Sequence, residues 1–238
     1  MWLGTVSISD FEAAGRWTVA FFSSETVMES STHPLVAIGE VVNERKITID
    51  PLSINSKSVN YLGLENVRSL TGELVDFHKR PPSEIKSRSK TYDFDDVLFG
   101  RLRPELNKVL LAPAEISPGI CSNEFIILSG NAKRIHPRYL RYVLASPYVS
   151  AYAQKLRSGA SLPRLSASDL LDLKIPLPTL SEQGEIVKKL ERLDVQLRSL
   201  RKRLEWLPTA VVEGFTATVR CGQDALSPVE GHLAEFAE

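Results

Sequence analysis

Cysteine is nearly absent from this 238-residue chain: only Cys121 and Cys221 occur, far apart. Two thiols so placed exclude a disulfide framework and lack the paired spacing of a zinc site, so both read as free. Long apolar runs are missing too, and none approaches the roughly 18 residues of a membrane span. The opening "MWLGTVSISDFEAAGRW" has neither a basic start nor an uninterrupted apolar stretch, and does not read as a signal peptide. A cytoplasmic location without membrane contact is the expectation. No glycine-rich loop precedes a helical pattern, and His, Cys, Asp and Glu nowhere cluster at metal-ligand spacing. Neither a cofactor nor a metal is expected.

What is present is the composition of a globular protein, 43% hydrophobic and 24% charged, long enough for one good-sized core and an appended element. Asp10 is a plausible cap for a short opening helix within residues 7–34. "PLVAIGEVV" begins the core, and the runs "VNYLGLENV", "DDVLFGRLRP", "KVLLA" and "EFIILS" read as strands. "HPRYLRYVLASPYVSAYAQKLRSG" reads as two short helices, each with proline near its first turn and the second ended by Gly159. "LLDLKIPLP" alternates as a strand. The fold class is α+β: a mainly β domain with short helices over 1–178, one long helix over 179–208, and a C-terminal segment with an acidic tail over 209–238.

That long helix carries the clearest periodicity in the chain. Ile186, Leu190, Leu193, Leu197, Leu200, Leu204 and Leu207 follow a spacing of four and three without a break, the a/d seam of a coiled coil. Thr179 and Glu182 fit a capping box at its start, Gly184 weakens its first turn, and Pro208 closes it. The bland alternative is a helix that covers its own domain. Yet a two-in-seven stripe is narrower than the face a core helix buries, and nothing downstream is long enough to pair with it. Another chain is the expected partner, with a homodimer as the simplest case.

A formal charge of zero hides a local absence of acid. From Phe125 to Ser168 stand Lys133, Arg134, Arg138, Arg141, Lys155, Arg157 and Arg164, interleaved with tyrosines and with no Asp or Glu. In "SGASLPRLS", the hydroxyls of Ser158 and Ser161, exposed backbone N–H groups and the flanking Arg157 and Arg164 suit a nucleic-acid backbone. Arg101 and Arg103, two apart on an expected strand, share a face, with Lys108 beyond the Pro104 turn. Such cations can reach phosphate or base edges; solvated strand arginines are the bland reading. If the strand only positions the DNA, the 78–92 loop is the next candidate reader. Two enzymatic readings fare worse. Asp76, Glu84 and Lys86 mimic a nuclease cluster, but two prolines interrupt it where that chemistry needs a strand. Cys121 with His78 or His136 has nothing to orient a nucleophile and base.

The order of these parts resembles the specificity subunits of type I restriction-modification systems. The resemblance rests on "RWTVAFF", "YDFDDVLFGRLRPELNKVLLA", "CSNEF", "HPRYLRYVLAS" and, above all, "SGASLPRLSASDLLDLKIPLPTLSEQGEIVKKLERLD", and spans residues 10 to 215. It implies a non-catalytic, half-length form with a single target recognition domain that reads half of a split double-stranded DNA site. The helix would space two such domains and dock methyltransferase subunits, with a restriction or translocase subunit as a further partner. A full family member carries two recognition domains and two helices, whereas here there is one of each. A stand-alone DNA-binding regulator and a coiled-coil scaffold are the alternatives. Co-purification from the host separates them: methyltransferase with the first, DNA alone with the second, neither with the third.

Overall fold

The computed structural model describes residues 32–156 and 162–221, with the backbone alone from 203 onward. The Asp10-capped opening helix, Arg157, Ser158, Gly159, Ser161 and the tail beyond 221 lie outside the described residues, as do the side chains of Leu204 and Leu207. The chain divides into two compact units after Val187.

The first unit is built on short strands: β1 (Leu35–Ala37), β2 (Val42–Glu44), β3 (Thr48–Ile49), β4 (Tyr61–Leu62), β5 (Ser89–Tyr92), β6 (Val97–Gly100), β7 (Val109–Leu111), β8 (Gly119–Cys121), β9 (Phe125–Gly130) and β10 (Lys174–Pro176). An antiparallel sheet in the order β2-β9-β6-β7 runs through the middle. Its residues alternate between two cores, as a period of two dictates. Val97, Phe99, Val109, Ile126 and Leu128 face one; Leu98, Leu110, Phe125 and Ile127 face the other. Both faces are covered over β6, β7 and the first four residues of β9, which are accordingly almost continuous apolar runs.

Over the first core lie α1 (Pro137–Leu144) and α2 (Pro147–Leu156). His136 caps α1 by accepting from the Arg138 N–H at 3.2 Å, and Pro137 occupies the first turn, where its missing N–H costs nothing. The second core is closed by the sheet β3-β5-β8-β4, in which β4 runs parallel to β8 and the other pairs are antiparallel. β1 pairs with β10 and ties the start of the described chain to residues 174–176.

"LLDLKIPLP" is not one strand. Its first three residues end α3 (Ala167–Asp172), because Ser166 accepts from the Asp169 N–H at 3.0 Å and starts a helix there; only Lys174–Pro176 is extended. The long helix α4 runs Leu180–Cys221. The capping box forms as expected: Glu182 accepts from the Thr179 N–H at 2.9 Å, and the Thr179 hydroxyl accepts from the Glu182 N–H at 3.4 Å. The Thr179 hydroxyl also donates to the Glu182 carboxylate at 2.8 Å, and this bond, with that from the Thr179 N–H, holds the Glu182 carboxyl below its usual range. Gln183, fully buried, fastens this first turn. Its amide nitrogen donates to the carbonyls of Arg134 and Pro178 at 3.0 and 2.9 Å, and its Oε1 accepts from the His136 N–H at 2.8 Å.

Pro208 does not close α4, which continues through it to Cys221. One proline removes one backbone hydrogen bond, at about 3 kcal/mol, and the apolar run "AVVEGF" that follows resumes the helix. At 42 residues the helix is about 63 Å long at roughly 1.5 Å per residue. Among the described residues, no helix is long and apolar enough to cross a membrane.

Candidate nucleic-acid interface

The cation-rich helix pair is tied to its own fold. Arg134 donates to the Glu40 carbonyl at 2.8 Å. Arg141 donates to the Thr71 carbonyl and lies over the Tyr142 ring at 4.7 Å. The tyrosines pack on the first core. Tyr139 donates to Pro176 O at 2.8 Å and Tyr148 to Lys174 O at 3.2 Å; burial pushes the Tyr139 phenol up to about 12 and raises that of Tyr148. Stacking on bases would require breaking these contacts.

The expected strand arginines are placed differently from one another. β6 ends at Gly100, so Arg101 and Arg103 do not continue a regular strand face. Arg101 is half-buried. Its N–H donates to the Glu124 carbonyl at 2.8 Å, and its side-chain Nε is buried without a hydrogen-bond partner. Arg103 is exposed, with φ of 48°, because a tight turn at Pro104–Leu106 begins there and its N–H must reach the Pro163 carbonyl at 2.8 Å. A side chain in this left-handed region costs roughly 1 kcal/mol; the pattern "GRLRPEL" gives no sign of it. Lys108 is half-buried and donates to the Leu64 carbonyl at 2.7 Å, which makes it a tether between loops.

Arg164 bridges back to Leu102 and clasps Glu124. Its Nε lies 3.0 and 3.1 Å from the two carboxylate oxygens, its Nη2 2.7 Å from Oε1, and its Nη1 donates to the Leu162 carbonyl at 3.3 Å. The guanidinium expected to hold phosphate is thus already paired with a carboxylate.

The cations least engaged with the fold lie elsewhere. Within 51–60 and 77–90 stand Lys57, Lys79, Arg80, Lys86, Arg88 and Lys90 against a single acid, Glu84; of these Arg80 is already engaged, donating to Glu65 at 3.0 Å and lying over the Tyr61 ring at 5.1 Å. The two segments lie together through the bridge between Val59 and Arg80 and through the 48–49 and 89–90 pairing. Pro82, Ile85 and Ser89 are buried and peg the second segment down, which leaves Lys79, Lys86 and Arg88 exposed. Arg88 reaches the Thr48 hydroxyl at 3.4 Å, and Asn123 donates to the Arg88 carbonyl at 2.7 Å. Lys90 donates to the Phe125 carbonyl at 2.7 Å, and burial lowers its pKa. The turn Ser122–Glu124 therefore joins this loop to Arg101 and Arg164 in one cationic strip. In the sequence "CSNEF" and the 78–92 loop stand well apart, and nothing local links them.

A nucleophilic site does not form at Cys121. The thiol is buried beside Lys90, and burial pushes it up to about 12. His136 is occupied as a helix cap, and His78 lies 3.3 Å from the Asp76 carbonyl. Glu84 sits on a single turn after two prolines.

On α4, Ile186 is partly buried and packs on the first core beside Val187, so the seam begins inside the domain. Leu190 is half-buried, while Leu193, Leu197 and Leu200 are each at least half exposed. The described chain does not cover these three leucines.

The described residues thus comprise a two-core α+β domain with a cationic strip and a long helix on which Leu193, Leu197 and Leu200 are exposed. Comparison with known proteins gives the family. The sequence model of the type I restriction modification DNA specificity domain matches residues 82–208, and the chain belongs to that family. It is 24% identical over 145 residues to the EcoDI type I restriction enzyme specificity subunit of Escherichia coli, covering 60% of this chain and 31% of that one. It is 33% identical over 114 residues to the MjaVIII specificity subunit of Methanocaldococcus jannaschii, covering 48% and 26%. The crystal structure of the HsdS subunit from Thermoanaerobacter tengcongensis superposes with a TM-score of 0.65 at 27% identity, over 79% of this chain and 50% of that one. The matched part is thus half or less of the length of these relatives.

Proposed function

We propose that this chain is a non-catalytic DNA-reading unit of a type I restriction-modification complex, recognising one half of a split duplex site. The observation that carries this is the cationic strip from Lys79 to Arg164, which lies mostly within the stretch matched by the family model. On such a surface, phosphate contacts supply salt-sensitive affinity, and any side chain reaching a base edge supplies discrimination of roughly 1 to 3 kcal/mol per good bidentate pair. Arg101, Arg103, Lys108, Arg157, Ser158, Ser161 and Arg164 remain the sequence-derived set. Of those described, Arg103 is the most exposed and the best placed to touch DNA. Methyl-transfer and cleavage chemistry belong, in this reading, to methyltransferase and restriction subunits.

The open seam on α4 supports assembly through the helix, with a second recognition domain, from an identical or a different chain, supplying the other half-site. Leu193→Glu/Leu200→Glu places charges in that seam, where an unpaired buried charge costs several kcal/mol. Light scattering is expected to show self-association of the wild type and a monomer for the variant; the same monomer for both rejects the homodimer. Methylome sequencing of the host with and without the gene tests the whole reading. Loss of methylation at a bipartite motif is the expected result, and an unchanged methylome rejects it.

A further inference from the structure

Around the turn Ser122–Glu124 the protein gathers more positive charge than it neutralises. The turn is held by the Phe125 N–H donating to the Ser122 carbonyl at 3.2 Å and by the Glu124 N–H donating to the Ser122 hydroxyl at 3.2 Å. The Lys90 ammonium donates to the carbonyl of Phe125, which follows the turn, the Arg101 backbone N–H donates to the Glu124 carbonyl, and the Arg164 guanidinium is bound to the Glu124 carboxylate; Arg101 also acts electrostatically on Lys90. Glu124 and the neighbouring Glu44 are the acids that act on Lys90, against Lys90, Arg101 and Arg164. Two features set this cluster apart from an ordinary surface ion pair. Among the described residues the buried Arg101 Nε has no acceptor, although a buried N–H normally finds one. The Glu124–Arg164 pair is only partly shielded, with side-chain exposures of 27% and 38%, so an incoming anion can reach it.

A carboxylate and a phosphate offer a guanidinium the same fork of acceptor oxygens. We propose that Lys90, Arg101 and Arg164 form a seat for a backbone phosphate of duplex DNA, in which the Glu124 carboxylate stands as an internal substitute until DNA displaces it. The inference rests on the DNA-reading function above and adds a specificity-determining role for Glu124. Every duplex, whatever its sequence, must compete with that carboxylate for Arg164, so affinity that comes from phosphate alone is held down. A duplex that also makes base contacts has the additional free energy to complete the exchange. The Arg101 Nε–H then gains an acceptor.

The test is fluorescence anisotropy of the full chain with a random-sequence duplex of about 30 bp, over a salt series, beside thermal melts. Glu124→Gln is expected to bind about five- to tenfold more tightly at low salt. The slope of log K against log salt should steepen by about one, the contribution of one further phosphate. Adding Arg164→Gln should abolish both gains. Arg101→Gln should bind more weakly, with a slope flatter by about one and an unchanged melting temperature. A folded Glu124→Gln with unchanged or weaker affinity and an unchanged slope overturns the proposal and leaves the pair as a structural brace. Should Glu124→Gln fail to fold, Arg101→Gln decides alone: unchanged affinity and slope overturn the seat. A wild type that binds no duplex at low salt overturns the DNA reading itself, a result distinct from any pattern among the variants.

Discussion

Residues 77–90 and 133–164 are both rich in cations and look alike on paper, but their side chains do different things. In the second stretch Arg134 and Arg141 donate to backbone carbonyls of other elements, the tyrosines fill the core, and Arg164 is clasped by Glu124. In the first, buried Pro82, Ile85 and Ser89 hold the chain, Arg80 and Lys90 are tied to Glu65 and to the Phe125 carbonyl, and Lys79, Lys86 and Arg88 are presented to solvent. Charge density along a sequence therefore marks where cations are, while the hydrogen-bond partners of each one mark which can be given to a ligand. A guanidinium is a strong donor to carbonyls and an effective cover for apolar surface, so a fold can use it as mortar.

The largest effect is expected from Lys79→Ala/Lys86→Ala/Arg88→Ala. Affinity for duplex DNA should fall by about two orders of magnitude at low salt, and the salt slope should flatten by two to three, with the melting temperature unchanged. Anisotropy and melts together check this; a lowered melting temperature with an unaltered slope would erase the contrast between the two stretches. Arg141→Ala is the converse. It removes a charge-assisted hydrogen bond to Thr71 and should cost about 1.5–3 kcal/mol in urea unfolding, while the salt slope of DNA binding stays as in the wild type. The smallest effect concerns the uncharged interior. Cys121 and Tyr139 are both pushed up to about 12 by burial, so the folded state keeps protons that the unfolded chain releases from about pH 9 upward. Stability is therefore full below that range and falls as pH rises toward 12. Urea midpoints at pH 8 and pH 10.5 should show this loss, and Cys121 should resist alkylation at pH 8 until the protein unfolds.

Much of the fold was legible because it follows local rules. The alternation of Val97, Leu98 and Phe99 between two cores, the Thr179–Glu182 box and the proline-started helices are set by neighbours in sequence. What was not legible depends on distant partners. The left-handed turn at Arg103 exists because its N–H bonds Pro163, sixty residues on. Arg164 answers to Glu124, and Gln183 to backbone groups of Arg134 and His136; each is unremarkable beside its own neighbours. Pro208 misled because a proline is a strong local signal, whereas a long helix absorbs a single lost bond. The candidate site was half legible for the same reason: composition located the cations, and tertiary hydrogen bonds then divided them.

The pegged loop at 77–90 has one more consequence. Its buried residues recur every three or four positions, and the intervening ones point outward and contribute little to the core. Such a segment behaves like a type case with fixed spacers: the letters between them can be replaced without resetting the page. Substitution at 79, 83, 86, 87 or 88 alters what the surface presents and leaves the two cores untouched. If the proposed DNA-reading role holds, a protein built this way acquires a new word to read by a handful of exposed changes, while its frame stays the same.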